Sequence, residues 1–186
     1  MPSIDRLFKA MLEREGSDLH LLQGQPPKIR EHGHMVALEG HEPLTGESLS
    51  KLLVEICPPS RWEIYNQVGD IDFAYAMGKA ARFRANYFRH QFGHGAVFRV
   101  IPTKILTLED LKAPAILTEI ARYRRGLILI TGPTGSGKST TLAAVLDHIN
   151  TEFPLKMITL EEPVEFVHPH KKSIMIQREV GEDTDT

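Results

Sequence analysis

Leu127-Ile128-Leu129-Ile130-Thr131-Gly132-Pro133-Thr134-Gly135-Ser136-Gly137-Lys138-Ser139-Thr140 is the stretch that decides how this chain folds. Its first five residues would present apolar side chains on both faces, which predicts a parallel strand covered by helices on each side. Gly132 and Gly137 are then separated by four residues and followed by Lys138-Ser139, the spacing of a phosphate-binding loop. Glycines let the backbone curl with its amides pointing inwards, and a helix opening near Lys138 aims the positive end of its dipole at the same point. Lys138 is expected to meet β and γ phosphates, and the Ser139 hydroxyl to ligate magnesium. Gly132, Pro133, Thr134, Gly135, Ser136, Gly137 and Thr140 complete the expected cradle. The ligand these residues predict is ATP with magnesium.

Downstream, Leu142, Val145, Leu146 and Ile149 recur at helical spacing, and Met157 to Leu160 predicts the next strand. This strand, loop, helix, strand order is the start of a P-loop α/β domain. Glu161-Glu162-Pro163-Val164-Glu165 follows the second strand directly, where open α/β sheets place functional groups. Glu161 is the leading candidate among its carboxylates to orient an attacking water or to hold the metal through water.

Upstream, a helix is expected near Ala115 to Tyr123, preceded by a connecting stretch with little periodicity between Pro102 and Pro114. The domains are accordingly expected at residues 1–102 and 115–186, with 103–114 as linker. In the first of them, Ile4, Leu7, Phe8, Met11 and Leu12 predict a helix with Ser3 as N-cap and Gly16 as its stop. A strand at Leu19 to Leu22 follows, then a hairpin of Lys28 to Arg30 with Met35 to Leu38. Leu49, Leu52, Leu53 and Ile56 mark a second helix, and Ser60-Arg61-Trp62-Glu63 reads as a capping box for a third. The period then changes to two. Strands are expected over residues 70–77, 81–88 and 96–101, with a turn at Gly78-Lys79, making an α+β unit with a mostly antiparallel sheet.

The 22 Lys plus Arg nearly balance the 24 Asp plus Glu, so no global positive field argues for nucleic acid. The single cysteine, Cys57, has no partner for an internal disulfide, which fits a reducing compartment and a buried apolar role. No apolar run reaches the roughly 20 residues that span a bilayer, so no direct membrane insertion is expected. The pairs His32/His34 and His90/His94 sit in turns without a third ligand, which disfavours a metal centre. Arg82, Arg84, Arg89 and Arg99 recur on the expected strands. An arginine brought from elsewhere is a recurrent way to stabilise a transferring phosphoryl group. Composition does not choose among the four.

Several stretches resemble the secretion ATPases of type IV pilus and type II secretion systems, and within them the PilT-like retraction ATPases. They are Gly16-Ser17-Asp18-Leu19-His20-Leu21, Pro26 to Arg30, Arg82 to Phe88, Val97 to Pro102, Arg125 to Leu142, Glu161 to His168 and Gln177 to Val180. The resemblance implies a PAS-like N-terminal α+β domain followed by the first part of a RecA-like ATPase domain. It further implies a homo-hexamer in the cytoplasm that powers pilus retraction and twitching motility, peripheral to the inner membrane through a platform protein. The family's inter-domain arginines match Arg84 and Arg99. Its acidic box matches Glu161 to Glu165, with Glu162 standing where Asp is usual.

The family's second acidic strand motif is expected beyond Val180, so the chain is expected to correspond to the N-terminal half of such a protein. P-loop chemistry needs a second acidic group near the magnesium. Two alternatives therefore stand beside the retraction ATPase: a non-hydrolytic nucleotide-binding or interaction module, and a pilus-assembly or type II secretion ATPase. The latter usually carries extra N-terminal domains and a four-cysteine zinc motif.

Overall fold

A computed structural model describes residues 2–78 and 80–184. These fall into two compact units that divide between Ile101 and Pro102. Lys79 of the expected turn, together with Met1, Asp185 and Thr186, lies outside the described residues.

The first unit runs α1 (Asp5–Glu13), β1 (Asp18–Leu22), β2 (Lys28–Glu31), β3 (His34–Ala37), α2 (Gly46–Val54), α3 (Pro59–Val68), β4 (Asp70–Met77), β5 (Ala81–His90) and β6 (Gly93–Ile101). Its strands form one six-stranded sheet in the order β3-β2-β1-β6-β5-β4, antiparallel at every pairing. Alternation sends Leu19, Leu21, Ile29, Phe73, Phe83 and Phe98 to one face. There they are buried with Phe8 and Met11 of α1, Leu49 and Leu53 of α2 and Tyr65 of α3. The other face receives the residues between them, and it carries the charge.

Two helix starts differ from the sequence reading. The N-cap of α1 is Ile4, with no side-chain cap. Ser3 instead donates its backbone N–H to Glu55 Oε2 at 2.7 Å and its hydroxyl to Glu55 Oε1. A charged acceptor brought near by tertiary folding outcompetes the local cap. Helix α3 begins at Pro59 after an uncapped Pro58, so Ser60 lies inside the helix and closes no capping box. Proline at the first helical position gives up a donor that the helix start leaves unused. By contrast α2 is capped as such helices usually are, Thr45 accepting the Ser48 N–H at 3.1 Å.

The second unit contains α4 (Ile116–Ile120), α5 (Lys138–Glu152), β7 (Lys156–Glu161) and β8 (Ile174–Glu179). Strands β7 and β8 pair in parallel, and β8 had no counterpart among the sequence expectations. The expected strand at Leu127 to Thr131 does not form. Leu127, Ile128 and Leu129 are 82%, 51% and 74% exposed. An apolar run of this kind becomes a strand only with neighbours to pair with and helices to cover it, and among the described residues no strand pairs with it. Helix α4 is likewise shorter than the periodicity suggested. The small core of this unit gathers Leu108, Ala121, Ala144 and Val145. Among the described residues, no helix is long and apolar enough to cross a membrane.

Candidate functional site

The loop from Gly132 to Gly137 has the glycine backbone turns that its sequence calls for, although the strand before it does not form. Gly137, the N-cap of α5, has φ 85°, a left-handed conformation that a side chain disfavours. Gly132 has φ 154°, and a Cβ there would come within 2.7 Å of Ser136 Oγ. Lys138 donates its Nζ to the backbone carbonyls of Gly132 at 3.0 Å and Pro133 at 2.9 Å. These are neutral acceptors, and the ammonium makes no ion pair among the described residues. Anionic oxygens are stronger partners for the same cation, so the loop holds a charge that its present partners do not neutralise.

Helix α5 and β7 bound a cleft of about 470 Å³ lined by Ser139, Leu142, Leu146, Ile158, Glu161, Glu162, Glu165 and His168. Ser139 from the first turn of α5 thus shares a cleft with all three carboxylates of the acidic segment. Glu161 is held in place: its Oε1 accepts the Thr159 hydroxyl at 2.7 Å and the Gln177 amide at 3.0 Å. Gln177 also donates to the Phe166 carbonyl at 2.7 Å and accepts the His168 N–H at 2.7 Å. Two residues further along β8, Glu179 Oε2 accepts the Val164 N–H at 3.0 Å. One side of β8 therefore fastens the whole acidic loop. Sequence reasoning gave Gln177 no role, because its hydrogen bonds run to a loop distant in sequence.

Among the described residues, no group of three or more His, Cys, Asp or Glu is placed to hold a metal by itself. The donors around Ser139 are a hydroxyl and carboxylates, hard oxygens that suit magnesium bound partly through water and phosphate rather than in a protein cage. His90 and His94 are engaged otherwise. His94 Nδ1 meets the Tyr65 hydroxyl at 2.8 Å, His90 Nε2 meets the His94 carbonyl at 3.2 Å, and His32 with φ 47° forms part of the β2–β3 turn.

His168 is buried, and its Nδ1 has no hydrogen-bond partner. Burial holds its proton affinity below the ordinary 6.5, against the fields of Asp147 and Glu161. Burial also lowers His20 and His94. In the unfolded chain these rings take up protons at about pH 6.5, while in the folded chain they resist, so acidification favours unfolding. We expect the urea midpoint to be level above about pH 7 and to fall as pH drops through about 6.5 towards the lowered folded values. The His168→Asn variant should show a shallower fall. A midpoint unchanged between about pH 7.5 and about pH 5.5 would refute this.

In the first unit the β5–β6 register sets Arg84 directly opposite Arg99. Arg84 Nε lies 3.1 Å from Asp72 Oδ1, and Arg99 Nε lies 2.8 Å from Asp18 Oδ1. Arg89 turns elsewhere, donating to the Asn66 carbonyl at 3.0 Å and lying over the Tyr65 ring at 5.6 Å. Of the four strand arginines, the two singled out by family resemblance are thus direct cross-strand neighbours.

Comparison with known proteins gives a consistent result. The profile of the family described as "Type II/IV secretion system protein" matches residues 2–185. A "Twitching motility protein" from Neisseria gonorrhoeae is 44% identical over 158 residues, 85% of this chain and 42% of that protein. The "Type IV pilus retractation ATPase PilT" of Pseudomonas aeruginosa is 41% identical over 181 residues, 97% of this chain and 52% of that protein. Among solved structures, the crystal structure of the pilus retraction motor PilT with bound ADP superposes with TM-score 0.91 at 37% identity. That match covers 97% of this chain and 53% of the other. The chain thus spans about half the length of the relatives it matches.

Proposed function

The chain belongs to the Type II/IV secretion system protein family, and from that premise we propose that it is the nucleotide-binding part of a motor ATPase that powers pilus retraction. The observation that carries this is the pairing of a glycine-turned loop, with Lys138 bound to no carboxylate among the described residues, and a cleft that gathers Ser139 with Glu161, Glu162 and Glu165. Likeness to a twitching motility protein of one organism and to a type IV pilus retraction ATPase of another supports it.

In this reading Gly132 to Thr140 bind the phosphates of ATP, and Lys138 holds their charge. Ser139 would hold magnesium, which when bound would supply positive charge to the phosphates. Glu161, fixed by Thr159 and Gln177, orients water near the γ phosphate. Arg84 and Arg99 supply positive charge where the transferring group develops negative charge. The assembly is a homo-hexamer in the cytoplasm, held at the inner membrane by a pilus platform protein.

A second reading, a nucleotide-binding module without turnover, is favoured by one observation: Leu127 to Thr131 pair with no strand among the described residues and are largely exposed. Titrating the purified protein with MgATP while following phosphate release separates the two. Saturable binding with turnover supports the motor, whereas binding with no release supports the module.

For the arginines, Arg84→Ala and Arg99→Ala are each expected to lower kcat about 100-fold or more in the protein as its gene encodes it. Thermal melts should change little for Arg84→Ala, whose pair with Asp72 is part-exposed on both sides, and fall more for Arg99→Ala, which takes a partner from the buried Asp18. Turnover unchanged in both variants would refute their assignment.

A further inference from the structure

The motif Gly16-Ser17-Asp18-Leu19-His20 carries part of the family resemblance, yet nothing in the nucleotide chemistry above uses it. Asp18 stands in the same cross-sheet row as both arginines: Arg84 faces Arg99, Arg99 faces Asp18, and Asp18 faces Arg30. Directly opposed side chains of an antiparallel sheet point to the same face and interact, and like charges so placed repel. A sheet with two guanidiniums opposite one another therefore needs carboxylates to hold them there.

Asp18 supplies one such carboxylate under unusual conditions. Its side chain is only 4% exposed, while that of Arg99 beside it is 67% exposed. Burial opposes its charged form. The Ser17 hydroxyl bond and the hydrogen bond and field of Arg99 outweigh burial, and the carboxyl stays ionised below its usual range. Both oxygens are engaged. Oδ1 takes Arg99 Nε at 2.8 Å, and Oδ2 takes Arg30 Nε at 3.3 Å and the Ser17 hydroxyl at 2.7 Å. On the other flank, Asp72 Oδ1 takes Arg84 Nε at 3.1 Å, and its Oδ2 takes the Asn86 amide at 3.3 Å.

The way these contacts are made matters. Each carboxylate meets its arginine at Nε, and the terminal Nη nitrogens of Arg84 and Arg99 make no hydrogen bond or ion pair among the described residues. A guanidinium is a planar fork. Held by Nε, it still offers its terminal edge to an anion, in the bidentate geometry that phosphate favours. Arg84 and Arg99, held by Asp72 from a diagonal position on β4 and by Asp18 in their own row, form a clamp that aims two adjacent forks outwards.

We propose that Asp18 is a positioning residue, which fixes Arg99 beside Arg84 so that the pair meets the nucleotide phosphates ready-oriented. The proposal rests on the assignment of Arg84 and Arg99 given above. Asp18 touches no substrate; it acts through Arg99, and Asp72 does the same for Arg84.

The test is a double-mutant cycle on MgATP turnover, in the protein as its gene encodes it, with Asp18→Asn, Arg99→Ala and the double variant. Asparagine keeps the shape and one acceptor oxygen but loses the charge. Rates are taken at a temperature where melts show all four proteins folded, so a purely structural staple leaves kcat unmoved. Asp18→Asn is expected to lower kcat about tenfold in the wild-type background and to have less than about a twofold effect once Arg99 is alanine. Equal losses in both backgrounds, or no loss in the first, overturn the proposal while Arg99 keeps its role. If Arg99→Ala itself leaves kcat unchanged, the assignment of the arginine falls and the proposal falls with it.

Discussion

Replacing Lys138 by alanine is expected to lower MgATP turnover about 100- to 1,000-fold, the usual cost of losing one preorganised group that stabilises transition-state charge. The size of the effect follows from what the ammonium lacks. Its hydrogen bonds go to the carbonyls of Gly132 and Pro133, which help to satisfy the donors but leave the charge uncompensated. A bound triphosphate would bring several anionic oxygens to the same point, where α5 already presents its N-terminus. Without Nζ the loop keeps its backbone amides, so MgATP still binds, more weakly, and phosphoryl transfer suffers most.

Stability should respond little to the same change. The substitution breaks no ion pair among the described residues and opens no core cavity, so the unfolding free energy should stay within about 0.5 kcal/mol. Lys138→Met, which keeps most of the side-chain stem, should behave like the alanine variant. Phosphate release measured beside a thermal melt checks both halves. Turnover near that of the unsubstituted protein would remove the phosphate-loop reading altogether.

What was legible in the sequence divides along one physical line. The loop could be read because its demands are local: Gly137 needs a left-handed backbone, and Gly132 must make room for Ser136. Strands β4, β5 and β6 could be read because each has one face in the core and one in water, which writes a period of two into the residues. Ser3 and Ser60 misled because the stronger constraints, Glu55 and Pro59, were tertiary or backbone effects that a cap pattern does not encode. Leu127 to Thr131 misled for the opposite reason. Its composition states what environment the segment suits, and composition cannot supply a paired strand. Strand β8 has only Ile174, Met175 and Ile176 as an apolar signal before polar residues begin. The partners of Gln177 and Asp18 were illegible because hydrogen bonds between distant segments leave no periodic trace.

The charged face of the first unit depends on the apolar one, and Phe8→Ala tests that dependence. Phe8 is fully buried. Its ring stacks on Phe83 at 4.2 Å, meets Phe98 edge-on at 5.0 Å and lies 5.7 Å from Tyr75. Removing it forfeits burial and leaves a cavity that a sheet cannot close, at a cost of about 3–5 kcal/mol. Against a total of about 5–15 kcal/mol for an ordinary domain, that is about a fifth of the stability or more. Urea unfolding should show the midpoint falling accordingly, and a loss below about 1 kcal/mol would mean that the ring contacts of Phe8 do not anchor the core. Phe83 and Phe98 each precede one of the paired arginines, and alternation points the rings inwards where Arg84 and Arg99 point outwards. A void beneath the two rings therefore loosens the two strand positions whose register sets the guanidiniums side by side. Phe8→Leu refills part of that void and costs less, so turnover should recover with it in step with stability. The arginine pair is held from below by aromatic packing as well as from the side by Asp18 and Asp72.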